Sequence, residues 1–384
     1  MLACDIPAGI PKEGRLAHTG PSVEAARPTR RRACLNVLIL SASSKSLLVK
    51  AFQDAVRPFG GAVTAADVAA DSAALQVADK AVLTPRSNDS RFSDALEAIC
   101  SAHDISLVVP TRDGELQRLA EIAGRLRAKG IAVLVPSGEA IAICSNSWRF
   151  SAFCRENGFP TPKNFPTAEA VDRFPVFCRA ANRTVPHHAM RISNKEELSA
   201  YEVLHGRVDG GLIIQEFVDW PEYSIDVLMD LQGNPLQAVA RRRISTRAGE
   251  SWKTRVEKLP ELTESALALS ELLGLVGHNN LQAFYDPVAG AQFIEVNARF
   301  GGASNLSIRS GLASPERLVQ MVAGNEAAAA APRPLNYGGM LLRHAEDIIV
   351  DHDPARDCVS WQDLPSELEL GGRSLGAKRA GVER

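Results

Sequence analysis

Glu295, Asn297 and Arg299 alternate along a segment that follows the apolar pair Phe293-Ile294 and runs into Gly301-Gly302 and a Ser/Asn-rich loop. In a strand, alternate side chains share a face, so these three are expected to project together. A carboxylate and an amide oxygen suit a hard cation such as Mg²⁺. An arginine beside them suits a phosphate or a developing anion. The same residues also fit a solvated edge strand ending in a turn, so the rest of the chain has to decide.

The chain has 384 residues, room for two or three domains at roughly 150 residues each. With 45% hydrophobic and 23% charged residues it has the balance of a globular protein. A formal net charge of −2 provides no global basic field for nucleic acid. The local basic runs, Arg30–Arg32 and Arg241–Arg243, lack the aromatic neighbours of a nucleic-acid module. Seven cysteines, at 4, 34, 100, 144, 154, 178 and 358, form no CxxC and are odd in number. That pattern fits reduced thiols in a cytoplasmic protein rather than a disulfide framework or a zinc site. No apolar run approaches the ~20 residues of a membrane span. Residues 1–34 carry four prolines and basic residues without an apolar core, so a disordered leader is expected rather than a signal peptide.

The elements that must position the three polar residues can be read in order. LNVLIL (Leu35–Leu40) and ISLVVP (Ile105–Pro110) are continuous apolar runs, the pattern of buried parallel strands. Further strands are expected at 62–66 and 131–136, with helices at 47–59, 93–102 and 115–129. This alternation implies a parallel sheet built from right-handed βαβ units. The turn SASSKS after the first strand contains no glycine, so this half is Rossmann-like in topology but not a dinucleotide site. Asp113-Gly114-Glu115 lies at a strand's carboxyl end, where such sheets bind ligands, and also reads as a helix cap. A helix over 141–157 is stopped by Gly158-Phe159-Pro160. Strands follow at 174–179, 190–192, 212–218, 223–229, 236–244, 280–285 and 292–297, with helices at 194–204, 262–273 and 314–323. Residues 327–332 read as a linker, 337–350 as one or two strands, and the chain from Ala355 as a polar, frayed end.

Three pieces then line up: LIIQEFVDWPEYSIDVLMD, with Gln215, Glu216 and Glu222; the hairpin LQAFYDPVAGAQFIEVN, with Gln282, Glu295 and Asn297; and Arg299 with GGASNLS. In this order the sequence resembles the ATP-grasp superfamily, in the branch similar to carbamoyl phosphate synthetase large-subunit domains, over roughly 35–324. The resemblance implies an α/β fold. A Rossmann-like, parallel-sheet N-terminal (pre-ATP-grasp) domain at 35–145 would precede a two-subdomain α+β ATP-grasp fold. The small subdomain, or lid, would span 146–210 and the large one 211–350, with a polar tail at 351–384.

The implied activity is an ATP- and Mg²⁺-dependent ligase, with Mn²⁺ as a substitute ion. It would activate a small-molecule carboxylic acid as an acyl phosphate for attack by an amine. The resemblance assigns Gln215, Glu216, Phe217 and Val218 to the adenine hinge and Glu222 to the ribose. Gln282, Glu295 and Asn297 fall to Mg²⁺, and Arg179, Arg243, Gln282 and Glu295 to ATP. Arg299 would stabilise the transferring phosphoryl group and face the substrate with Ser304, Asn305 and Ser307. For Arg241, on the same basic segment as Arg243, contact with ATP or the substrate and a solvated outer strand face both stay open. No nucleic acid or membrane partner is implied, and a homodimer stays open.

The departures lie in the lid. Relatives carry Lys-Pro where this chain has Arg179-Ala180, and no glycine occurs from Ala180 to Met190. Glycine lets a backbone approach phosphate closely; Arg183, His187 and His188 stand there instead. Adjacent histidines point apart in extended chain and have no spaced partner, so no metal is expected on them. Asn146-Ser147 stands where relatives tend to have Asp-Lys. These departures leave a second reading open, a nucleotide-binding protein with little ligase activity.

Overall fold

A computed structural model describes residues 34–181, 189–205 and 212–364. They fall into two compact units. One comprises 34–134, 315–329 and 345–364; the other comprises 135–314 and 330–344.

In the first unit, β1 (Asn36–Ile39), β2 (Val63–Asp67), β3 (Lys80–Leu83), β4 (Ile105–Val109) and β5 (Ala132–Val133) are interleaved with α1 (Ser46–Val56), α2 (Phe92–Ala102) and α3 (Asp113–Ala128). The strands are parallel in the order β3-β2-β1-β4-β5, as the alternating pattern required. Val37, Leu38 and Ile39 are all buried, which is why β1 has no polar face. Two features depart from the reading of the sequence. β3 was not expected, because Lys-Ala-Val-Leu is short and follows a polar stretch. Cys358–Ser360, placed in the frayed end, forms a sixth strand parallel to β3. Three residues give too short an alternation to register as a strand.

Glu115 resolves the ambiguity at the start of α3. Its carboxylate accepts from Thr111 N at 2.8 Å and Arg112 N at 3.2 Å, and from the Ser41 hydroxyl. The turn is a helix cap, and burial pushes the Glu115 carboxyl upward in pKa.

The second unit opens with two helices where one was expected. α4 (Gly138–Cys144) and α5 (Ser147–Glu156) are separated at Asn146, whose backbone is extended and whose side-chain oxygen accepts from Trp148 N and Arg149 N. An N-cap of this kind is worth about 0.5–2 kcal/mol and forces the break. β6 (Asn164–Phe165), β7 (Val176–Ala180), β8 (Met190–Ile192) and β9 (Leu212–Glu216), with α6 (Lys195–His205), form an antiparallel sheet in the order β6-β9-β7-β8. Phe165, Val176, Cys178, Ile192, Leu198 and Ile214 pack into its core, each large apolar side chain contributing about 1.5–3 kcal/mol. Because strand side chains alternate, Arg179 and Gln215 fall on the opposite face.

A larger antiparallel sheet follows, made of β10 (Glu222–Met229), β11 (Pro235–Arg247), β12 (Glu250–Glu257), β13 (His278–Asp286), β14 (Gly290–Asn297) and β15 (Met340–Leu342). Its order is β14-β13-β10-β11-β12-β15. α7 (Pro260–Leu272) packs against β10 and β11, and α8 (Ser304–Ser307) follows β14. The expected linker contains a short helix, Glu326–Ala330, in keeping with its alanines.

Candidate functional site

The register of the larger sheet collects the expected residues. Glu295 pairs with Gln282, which pairs with Ser224, which pairs with Arg241. One row along, Asn297 pairs with Asn280 and Asn280 with Asp226. Directly opposed residues share a face, so Glu222, Ser224, Asp226, Gln282, Glu295 and Asn297 stand on one side. Arg243 joins them, its Nε 3.0 Å from Glu222 Oε1 and its Nη2 donating to Gly249 O at 2.8 Å.

The three residues that opened the sequence reading are linked to one another. Asn297 Nδ2 donates to Glu295 Oε1 at 3.3 Å, and Arg299 Nη2 donates to Asn297 Oδ1 at 3.1 Å. Arg299 is not on the strand, however. β14 ends at Asn297, and Arg299 N donates to Asn297 O at 2.7 Å in a tight turn. The guanidinium therefore reaches the face by turning back.

Burial pushes the Glu222 carboxyl upward in pKa, and the Glu295 charge adds to that shift, while Arg243 opposes both. Two carboxylates within electrostatic reach of each other and of one arginine make a site that is completed by a cation or by the polar groups of a ligand. Among the described residues no group of three or more His, Cys, Asp or Glu could hold a metal ion. The donors fit Mg²⁺ only as one carboxylate with the Gln282 and Asn297 amides, the remaining positions being filled by phosphate or water.

Residues 215–218, expected from the resemblance to form an adenine hinge, lie at the end of the smaller sheet, where β9 leads through 217–221 into β10. Gln215 is buried; its Oε1 accepts from Arg179 Nε at 3.1 Å and its Nε2 donates to Asn164 Oδ1 at 2.8 Å. The Glu216 carboxylate is held by Lys163 N and Arg173, and its backbone N–H donates to Lys163 O at 2.8 Å. Phe217 N donates to Pro175 O at 3.3 Å, and Arg191 sits 5.1 Å over the Phe217 ring. Val218 continues from it into the connection to Glu222. Arg183, His187 and His188 lie outside the described residues.

Two substrate-side assignments need correcting. Ser304 and Ser307 are fully buried, and both hydroxyls donate to Asp226, at 2.8 and 2.5 Å. They hold the loop and do not face a substrate. Asn305, on the other side of the short helix, is half-buried. Arg241, for which a ligand-facing role and an outer strand face both stood open, is 1% exposed and pairs with Asp226 at 2.9 Å. The residues missed by the sequence reading are thus Asp226, His278 and Asn280, whose polar groups meet beneath the loop. The one signal was an acid in the middle of an apolar strand, Ser-Ile-Asp-Val-Leu.

Gly301 is explained by the same packing. A Cβ on Gly301 would sit 2.9 Å from Asn280 Cγ and 3.0 Å from Ser304 Oγ, and Gly301 N donates to that hydroxyl. Gly301→Ala is expected to destabilise by about 1–3 kcal/mol, the range for overpacking, as read by urea unfolding. A change below ~0.5 kcal/mol would show that the turn yields.

Comparisons with known families and solved structures bear on this strand feeding an antiparallel sheet with one acid-, amide- and arginine-bearing face. Residues 209–340 match the family described as ATP-grasp in the biosynthetic pathway with Ter operon, and residues 37–134 match the PylC-like N-terminal domain. Biotin carboxylase in a βγ-ATP complex, from Campylobacter jejuni, is 17% identical over 79% of this chain and 74% of its own, with a TM-score of 0.61. An L-amino acid ligase from Bacillus licheniformis is 18% identical over 79% and 78%, at 0.59. N5-carboxyaminoimidazole ribonucleotide synthetase from Thermus thermophilus is 20% identical over 79% and 80%, at 0.56. No curated protein matches the sequence. No helix among the described residues is long and apolar enough to cross a membrane.

Proposed function

We propose that the protein is an ATP-dependent ligase that activates a small-molecule carboxylate and joins it to an amine. The observation that carries this reading is the single sheet face bearing Glu222, Gln282, Glu295 and Asn297 in register, with Arg243 and Arg299 beside them. On this reading the backbone at 216–218 takes the adenine and Glu222 the ribose hydroxyls, while Arg179 and Arg243 meet the phosphates. Gln282, Glu295 and Asn297 would hold Mg²⁺, which neutralises phosphate charge when bound.

A carboxylate oxygen of the acid attacks the γ-phosphorus, ADP leaves, and an acyl phosphate forms. The amine nitrogen then attacks the acyl carbon, inorganic phosphate leaves, and the surplus proton passes to solvent. Arg299 stands where charge develops in both steps, and its hydrogen bond to Asn297 keeps it oriented. Positioning and charge supply most of the catalysis in phosphoryl transfer, so no protein nucleophile is needed. Two of the similar structures are ligases or synthetases by name.

The test is ADP release with a panel of amino and hydroxy acids, each with and without an amine. Turnover on at least one acid, abolished by Glu295→Ala, is expected. Nucleotide binding without turnover on any acid would sink the ligase reading. It would favour the nucleotide-binding alternative, which rests on the absence of glycine from Ala180 to Met190.

A further inference from the structure

The two departures that the sequence shows in the lid region meet in space. Arg179 Nη1 donates to Ser147 Oγ at 2.8 Å, and Arg179 Nε donates to Gln215 Oε1 at 3.1 Å. The amide of Gln215 is fixed in turn by Asn164 Oδ1, at 2.8 Å. Ser147 is fixed by its backbone, whose N–H donates to Ala181 O at 3.0 Å. Ser147 and Gln215 are 6% and 4% exposed, so neither can rotate freely toward solvent. The four side chains form one line across four elements: Ser147 on α5, Arg179 on β7, Gln215 on β9 and Asn164 on β6.

Arg179 is held at the first turn of α5, the positive end of the helix dipole, where a cation is disfavoured. The dipole's N–H groups are already used: Ser147 N by Ala181, Trp148 N and Arg149 N by Asn146, and Phe150 N by the Asn146 carbonyl. A planar guanidinium is directional, unlike an ammonium, so its plane must be set before it can meet phosphate oxygens squarely.

We propose that Ser147 and Gln215 are positioning residues for Arg179, orienting its guanidinium toward the β- and γ-phosphates of a bound nucleotide. The proposal rests on the ATP reading above. It also reassigns Gln215, which acts on the nucleotide through Arg179 and not by touching the base. A serine at 147 is part of the same device, because a lysine there would place a second cation against Arg179.

The experiment is calorimetric titration with AMP, MgADP and a non-hydrolysable MgATP analogue. Wild type is compared with Gln215→Met, Ser147→Ala, Arg179→Lys and the double variants that combine Arg179→Lys with each of the other two. Gln215→Met and Ser147→Ala are each expected to weaken the ATP analogue about tenfold, as loss of an oriented charge-assisted hydrogen bond would. AMP affinity should stay within about twofold of wild type, since AMP lacks the phosphates concerned. In the Arg179→Lys background the same substitutions should cost less than about twofold, because a lysine needs no orienting and the pair would no longer couple.

Equal weakening of AMP and the ATP analogue by Gln215→Met would overturn the proposal and return Gln215 to the base. So would an undiminished tenfold loss in the Arg179→Lys background, which would show that the two act independently. If Gln215→Met does not fold, Ser147→Ala carries the same pair of tests. Wild type binding no adenine nucleotide at all would overturn the ATP reading itself, and this proposal with it.

Discussion

Glu295→Gln is expected to cut turnover by about 10²–10³-fold, the loss that follows removal of one preorganised electrostatic contact, while the protein stays folded. Glutamine keeps an oxygen for Asn297 Nδ2, which donates to Glu295 Oε1 at 3.3 Å. It also keeps the strand pairing with Gln282. What it removes is the charge, and with it the one carboxylate among the expected Mg²⁺ donors. A thermal unfolding midpoint close to that of wild type, together with lost turnover, separates charge from packing. Turnover within about threefold of wild type would remove Glu295 from the phosphoryl-transfer step, since an effect that small falls short of a transition-state contact.

The same substitution has a pH signature. Burial raises the Glu222 carboxyl in pKa, and the Glu295 charge raises it further. The folded protein therefore holds the Glu222 proton more tightly than the unfolded chain does, and this group's effect on stability becomes less favourable as pH rises through the window between the two values. On the proposed reading Glu222 accepts the ribose hydroxyls, best when ionised, so nucleotide affinity should fall on acidification at a higher pH than for an ordinary glutamate. Removing the Glu295 charge takes away one raising cause. The acid limb of nucleotide affinity should then move to lower pH in Glu295→Gln. A limb that stays in place would mean that the two carboxylates do not sense each other.

The parts of the site that could be read from the sequence are those with a local signature. Continuous apolar runs marked β1 and β4, and the polar exit of LIIQE marked the end of β9. The alternation of Glu295 and Asn297 marked a shared face, because one face of a strand is set by a period of two. Arg299 lay outside that rule, since the strand ended before it and a tight turn brought it back. The break between α4 and α5 was hidden because its cause is a side-chain cap at Asn146, inside a stretch whose apolar periodicity runs on. Ser304 and Ser307 were misjudged for a different reason. A small hydroxyl in a loop after a polar-faced strand looks the same whether it meets a ligand or a buried acid 78 or 81 residues earlier. Only the fold brings Asp226 beneath them.

Asp226 is where the largest stability effect is expected. Its side chain is fully buried and accepts from Arg241 Nε at 2.9 Å, Asn280 Nδ2 at 2.6 Å, Ser304 Oγ at 2.8 Å and Ser307 Oγ at 2.5 Å, with His278 Nε2 at 3.5 Å. Burial alone would raise its pKa, but Arg241 and His278 outweigh that and hold the carboxyl far below its usual range. Asp226→Ala leaves the Arg241 charge buried without its partner and strips three neutral donors of their acceptor. Breaking a buried ion pair from one side costs about 3–5 kcal/mol, so a loss at or above that range is expected in urea unfolding. Asp226→Asn should lose nearly as much, because it keeps the shape but not the charge that Arg241 requires. The informative comparison is Asp226→Leu combined with Arg241→Met. For an isolated buried pair, such a replacement is often neutral or stabilising. Here it should recover only part of the loss, since Asn280, Ser304 and Ser307 would still lack an acceptor, at about 1–3 kcal/mol for each buried group left unmade. Full recovery would show that Asp226 serves Arg241 alone. Partial recovery, accompanied by a fall in turnover, would tie the acid to the loop that carries Gly301 and follows Arg299.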